Sequence, residues 1–316
     1  MWADSGTILL GTVLLLFGTD SLVNGVSGLL ASRVSESYLF SMVAAFTAAL
    51  APLIALLVAA LLIEEWNLAL GGLIGASIAQ LGLLLGLAAL LAPLLARLKV
   101  FALLNPALII AVVLVWGLGF DHQLSALDGS ILLLAFIVVV VLLVRRIARE
   151  RAAARILFDT PPPTFGPMLL ALRLLVGVLL LGLGGWRLAV GSVGIASAMS
   201  LNPLIIGLLV AGPACVLGGA PTALLAARRG RGDFALGQAL FGALSAILLV
   251  LGGLALIHPL ALPASMSWLE LPVLFAMALA VYPMMRSDGE LSSREGGVLL
   301  LAWLAFIAIE IGLIFA

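Results

Sequence analysis

Charged residues, prolines, glycines and asparagines cut this chain into ten apolar runs, at about 7–31, 38–63, 67–94, 100–120, 126–144, 168–199, 202–226, 234–257, 269–285 and 297–316. Runs of that length cross the roughly 30 Å hydrocarbon core of a bilayer as α-helices. Inside hydrocarbon, only a helix or a closed barrel satisfies every backbone N–H and C=O. Charged residues are 9% of the 316 and hydrophobic ones 64%, against about 25% charge in a water-soluble domain. The fold class expected is an all-α integral membrane protein of ten transmembrane helices.

The basic residues set an orientation. Arg33, then Arg97 and Lys99, then Arg145, Arg146, Arg149, Arg151 and Arg155, then Arg228, Arg229 and Arg231, then Arg286 and Arg294 all fall between spans on one side. Only Arg173 and Arg187 lie elsewhere, inside span six. Positively charged loops stay in the cytoplasm, so both termini are expected outside (periplasmic), in a bacterial inner (plasma) membrane. Trp2, Trp66, Trp116 and Trp268 gather near the outer boundary, as an aromatic belt does. MWADSG lacks a basic leader and no small-residue cleavage site follows, so the first span reads as a helix and not a signal peptide. The balance of 15 basic and 15 acidic residues offers no basic stripe for nucleic acid. The single cysteine, Cys215, excludes a disulfide framework and a multi-thiolate metal site. No nucleotide loop, zinc spacing or catalytic triad is present, so neither an enzyme nor a cofactor is expected.

Sliding the chain against itself gives one recurring register, an offset of 166. Gly18, Leu22 and Gly25 fall on Gly184, Leu188 and Gly191, and Ala69-Leu70-Gly71 falls on Ala235-Leu236-Gly237. Leu85-Gly86, Ala89-Leu90 and Pro93-Leu94 fall on Leu251-Gly252, Ala255-Leu256 and Pro259-Leu260 without a gap. Each half has an odd number of spans, so the copies lie in opposite orientations, an architecture that places a site at the midplane. The expected organisation is a first five-helix repeat over 1–144, a cytoplasmic linker over 145–167 and a second, inverted repeat over 168–316. The Arg-rich run 145–155 is a solvated linker or a short amphipathic helix, and Pro161–Pro163 ends any helix there.

Two stretches resemble the cation/calcium antiporter superfamily, which includes the sodium/calcium exchangers. They are FGTDSLVNG, Phe17 to Gly25, and AARRGRGDFALGQAL, Ala226 to Leu240. That resemblance implies a turn of G-T-S-x-P-E-L type and a partner turn of G-N-x-x-G-S-N-x-x-N type in each repeat, with Glu, Asn and Ser/Thr oxygens binding calcium and sodium. Here the first turn reads Ala48-Ala49-Leu50-Ala51-Pro52-Leu53-Ile54, keeping Pro52 but placing Leu53 where the family has glutamate. Its partner, Gly71 to Gln80, keeps both glycines, with Ser77 and Gln80 the polar groups left at ligand positions. In the second repeat Ala214 to Ala220 places Gly219 at the glutamate position and Cys215 at a threonine position. The partner turn begins Gly237-Gln238. A divalent ion needs six to eight oxygens, including carboxylates, and without them its charge stands uncompensated in low dielectric. Calcium binding is therefore not expected, and no resident metal is.

Other polar groups remain within the spans. Gln80, Gln238, Ser77 and Ser245 form a neutral hydrogen-bonding pocket or simply join helices, as such residues do in lipid. Asp20 in span one and Arg187 in span six are candidates for an intramembrane ion pair between the halves. Glu310 is expected at the outer interface, Cys215 as an apolar filler, and Glu64 and Glu65 in a solvated outer loop. Two functions follow: an exchanger-like transporter with an altered substrate, the candidate pathway formed by Pro52, Leu53, Ser77, Gln80, Cys215, Gly219, Gln238 and Ser245, or a non-transporting scaffold for a protein partner in a membrane complex. Ordinary calcium/sodium antiport comes last. The lipid bilayer is the one partner the composition requires.

Overall fold

The computed structural model describes residues 2–31, 37–95, 101–149, 166–287 and 290–315. Among the described residues, ten helices are long and apolar enough to cross a membrane. They are α1 (Trp2–Leu30), α2 (Val43–Leu62), α3 (Trp66–Leu91), α4 (Leu103–Asp121), α5 (Ala126–Arg146), α6 (Met168–Ala198), α7 (Pro203–Arg228), α8 (Gly232–Ile257), α9 (Met266–Met284) and α10 (Ser293–Ile314). The helix containing α5 runs on to Arg149, so the start of the expected linker is helical. Arg33, Arg97, Lys99, Arg151, Arg155 and Pro161–Pro163 lie outside the described residues.

Position in the bundle follows composition. Helix α3 carries no charged residue between Trp66 and Leu91 and is almost wholly enclosed, with α7 and α8 mostly so. Helices α1, α5, α6 and α10 present most of their surface outward, as a helix facing lipid can do with leucine and valine at no cost.

The two halves are inverted copies, and the backbone carries the repeat's mark. Helix α3 widens to a π-helical turn over Gln80–Leu84, and α8 does so over Ala246–Val250, 166 positions later. Interfaces come in matched pairs: α3 on α7 with α8 on α2, and α3 on α10 with α8 on α5. Helices α1 and α6, and α4 and α9, pack on their own counterparts. Outside the helices, β1 (Leu94–Leu95) pairs antiparallel with β4 (Glu290–Leu291), and β2 (Gln123–Leu124) with β3 (Leu260–Ala261). Each two-stranded ribbon ties a connection of one half to a connection of the other.

Helix starts repeat as well. Asp128 accepts from the backbone N–H and hydroxyl of Ser125 at 2.8 and 2.7 Å, and Glu295 accepts from those of Ser292 at 2.8 Å each. These are capping boxes on α5 and α10. They stand 167 apart, while Pro106 in α4 and Pro272 in α9 still stand 166 apart. The second half therefore gains one residue between Pro272 and Ser292. The turn between α2 and α3 and that between α7 and α8 both need a left-handed residue. Gly230 supplies one with φ 73°, and Glu64 is held at φ 59° at the equivalent place.

Helices α1 and α6 touch backbone to backbone through glycine. A methyl group added to Gly11 would stand 2.8 Å from the Leu188 nitrogen, and one on Gly184 would stand 2.9 Å from the Gly11 oxygen. The contact runs antiparallel, with Gly18 against Leu181 and Gly25 against Leu174.

Candidate functional site

The midplane centre is built where α2, α3, α7 and α8 meet. Pro52 in α2 has no N–H, so the carbonyl of Ala48, one turn earlier, loses its helical donor. In the structure Gly219 of α7 lies directly on that carbonyl, so close that a side chain of any size at 219 would collide with the Ala48 oxygen. Cys215, one turn before Gly219, points its thiol at the Pro52 carbonyl at 3.5 Å. A proline-freed backbone segment of α2 is thus covered by the small residues of α7.

The amide of Gln238 on α8 completes this layer. Its Nε2 donates to the Gly219 carbonyl at 2.8 Å, and its Oε1 accepts from the Thr222 hydroxyl at 2.9 Å. Thr222 also lies 2.7 Å from the same Gly219 carbonyl. Thr222 escaped the sequence reading, because its partner is sixteen residues away on another helix and no local pattern signals it.

Gln80 sits at the first residue of the π turn of α3, its amide oxygen against Gly242 of α8, which also faces Ala49 of α2. Its Oε1 is buried without a hydrogen-bond partner. Ser77 and Ser245, both fully buried, spend their hydroxyls on their own helices, donating to Leu73 O at 2.8 Å and Phe241 O at 2.6 Å. Pro52, Cys215, Gly219 and Gln238 are therefore brought together and Gln80 lies alongside, while the two serines are internal helix hydroxyls of the kind that back-bond within a turn. Leu53 is 1% exposed and belongs to the hydrophobic core. Between Val43–Leu62, Trp66–Leu91, Pro203–Arg228 and Gly232–Ile257 the charged residues are Arg228, at the end of α7, and Asp233, at the start of α8. Among the described residues, no group of three or more His, Cys, Asp or Glu is placed to hold a metal ion.

The Asp20–Arg187 pair is not formed. Contacts between α1 and α6 set Leu22 against Gly177, Gly18 against Leu181 and Gly11 against Leu188. Asp20 therefore stands level with Leu179 of α6 and Arg187 level with Thr12 of α1, about 12 Å apart along the axis at 1.5 Å per residue. Both side chains are exposed. Glu310 also differs from its expected place: it is 7% exposed, turned into the bundle and not out to the interface. His258 stacks on Trp66 at a ring-centroid distance of 4.2 Å, next to the turn of exposed Glu64 and half-buried Glu65.

The sodium/calcium exchanger protein family model matches residues 5–145 and 169–312, which are the two halves just described. The chain belongs to that family. Within it, the chain is 27% identical over 307 residues to the putative antiporter CaxA of Alkalimonas amylolytica, covering 95% of this chain and 96% of that protein. It is 25% identical over 265 residues to the inner membrane protein YrbG of Escherichia coli (strain K12), covering 82% of this chain and 81% of that one. The solved sodium-calcium exchanger NCX_Mj, soaked with 2.5 mM Na+ and 10 mM Sr2+, superposes with a TM-score of 0.68 at 22% identity, covering 97% of this chain and 98% of that one. The form soaked with zero Na+ and Ca2+ gives 0.65 at 22% identity over 96% and 98%. As a member of the exchanger family the chain is an integral membrane protein with the inverted five-helix architecture of that fold.

Proposed function

We propose that this chain is an exchanger-family membrane transport protein that does not carry calcium, and that its central site takes a solute bearing at most one positive charge. The closed contact between Gly219 and the Ala48 carbonyl carries this reading, because it leaves no room at 219 for the family's carboxylate. With Leu53 buried at the other glutamate position, the oxygens on offer are neutral: Gln80 Oε1 and the carbonyls of Pro52 and Gly219. Neutral oxygens serve a monovalent cation or a polar uncharged solute, but they leave a divalent ion uncompensated. Pro52 and the π turns interrupt the central helices, and interrupted helices line transporter sites. Residues 1–144 and 168–316 act as the two opposed halves, with both termini periplasmic.

A second reading rests on Leu53. Its side chain and the self-satisfied amide layer fill the space a substrate would need, which suits a membrane scaffold for a partner protein.

Proteoliposomes separate these readings. Calcium uptake under an imposed sodium gradient is expected to equal that of empty vesicles, and uptake above that level overturns the proposal. Jumps of sodium, potassium or rubidium on supported proteoliposomes are expected to give a current that Gln80→Leu abolishes. Silence to every solute, with a membrane protein retained on affinity purification, replaces transport by the scaffold.

A further inference from the structure

On the membrane face where α1 begins and α10 ends, a ring contact joins the two halves. His258, at the end of α8, stacks on Trp66, at the start of α3, with ring centroids 4.2 Å apart and the planes 20° from parallel. His258 is exposed, caps α8 in an extended conformation (φ −145°, ψ 128°) and donates its backbone N–H to Leu254 O at 3.0 Å. Its ring therefore stands at a helix C-terminus, where positive charge is favoured. It also lies over an indole face, within the ~6 Å reach of a cation–π contact.

The elements around this contact supply acids and no lysine or arginine: neither residue occurs in 57–68, 114–132 or 250–275. Glu64 and Glu65 precede Trp66 in its own turn, Glu64 exposed and Glu65 half-buried. On α5, packed against the end of α8, Asp128 is committed to the Ser125 cap at 2.7 and 2.8 Å. At the end of α4, Asp121 accepts from the Gln123 N–H at 3.1 Å, and Glu270 at the start of α9 is buried. His122 is the other histidine. Its carbonyl accepts from the Leu262 N–H at 2.8 Å, four residues beyond His258 and so about 13 Å away along extended chain.

Inverted symmetry supplies a control within the molecule. The repeat carries Trp66 forward to Gly232 and His258 back to Ala92. There, at the opposite face, a methyl group added to Gly232 would stand 2.7 Å from Leu94 Cα, so no ring fits. The same architecture closes without a stacked pair on that face, and packing alone gives no reason for one on this face.

We propose that His258 and Trp66 form a proton-sensitive clasp between α8 and α3, built on one membrane face and drawn tighter when the imidazole is protonated. Histidine is the side chain that changes charge between about pH 5 and 8. A neutral imidazole stacks on Trp66 through dispersion. An imidazolium adds attraction to the indole face, to the carbonyl end of α8 and to the acids of the Glu64–Glu65 turn. That added hold is present at acid pH and falls away as the imidazole loses its proton. The clasp grips the ends of the two helices that carry Gln80 and Gln238, so acid on this side restrains the central helices at one face and not at the other. It is separate from the midplane and stands whether or not the central site transports.

The test uses the full-length protein in lipid nanodiscs and reads both the contact and its strength. Trp66 emission is the difference between wild type and W66F. It is expected to fall as pH drops through the histidine range, because an imidazolium in contact quenches indole fluorescence. H258Q is expected to abolish that fall and H122Q to leave it unchanged. A thermal double-mutant cycle of W66L and H258Q is expected to show a larger coupling at about pH 5.5 than at about pH 8, on either side of the neutral point of the switch. Should W66L not fold, the Tm deficit of H258Q alone is expected to grow from the higher pH to the lower. Trp66 emission that does not change with pH, a fall that survives H258Q, or a coupling (or H258Q deficit) equal at the two pH values overturns the proposal.

Discussion

Gly219→Ala tests the closed centre with a single methyl group. That methyl would occupy the space of the Ala48 oxygen, with Gln238 Nε2 a further 3.2 Å away. Helices α2 and α7 would have to part, and overpacking of this kind costs about 1–3 kcal/mol. Parting them also strains the Gln238 bond to the Gly219 carbonyl, a loss of about 1 kcal/mol. The expected destabilisation is therefore about 2–4 kcal/mol. Gly182→Ala on α6, where an added methyl meets nothing within 4 Å, is the matched control and is expected to be neutral or slightly stabilising from helix propensity. Thermal unfolding in one detergent, followed by circular dichroism, ranks the two variants against wild type. Gly219→Ala with a Tm equal to that of Gly182→Ala would refute the closed contact. So would sodium-driven calcium uptake by Leu53→Glu/Gly219→Glu, since the paired carboxylates then fit after all.

Asp20→Asn and Arg187→Gln should act independently, with a double-mutant coupling below about 0.5 kcal/mol in the same unfolding assay. Thr222→Val leaves Gln238 Oε1 without its 2.9 Å donor and should cost about 1–2 kcal/mol. The Thr222→Ser variant should restore most of that stability. Glu64→Gly relieves a left-handed glutamate and should raise stability by about 1 kcal/mol, whereas Gly230→Ala should lower it; a fall in Tm for Glu64→Gly contradicts the strain. Ser292→Ala removes the cap of α10 at about 1 kcal/mol, measurable as a lower Tm that Ser292→Thr does not share.

The spans and the inverted repeat were legible because both are written in periodic apolar character and in glycine and proline positions, which local physics fixes. The 166 offset found by sliding the chain on itself reappears in the two π turns. The extra residue before Ser292 was missed although the sequence carries it: Ser125, Asp128, Gly129 and the Leu-Leu-Leu-Ala run at 132–135 recur 167 positions later as Ser292, Glu295, Gly296 and 299–302. Contacts were harder to read than symmetry. Asp20 and Arg187 are near counterparts under the repeat, but counterparts touch only close to the pseudo-two-fold axis, and antiparallel packing carries residues away from that axis in opposite directions. Glu310 was misplaced for a related reason: distance from the chain end says little about burial when α3 and α9 flank the last helix. Glu270 was legible in principle, as the acid opposite Leu104 once Pro106 and Pro272 are aligned.

The shared π turns also show where the two halves hold to one another most closely. Gln80–Leu84 and Ala246–Val250 sit at equivalent positions on the two most enclosed helices, α3 and α8, and such turns are rare within α-helices. The π turns of Gly207–Ala211 and Met266–Glu270 stand opposite 41–45 and 101–104, which are α-helical among the described residues of the first half. Symmetry of winding is therefore kept in the two central helices and lapses in α7 and α9.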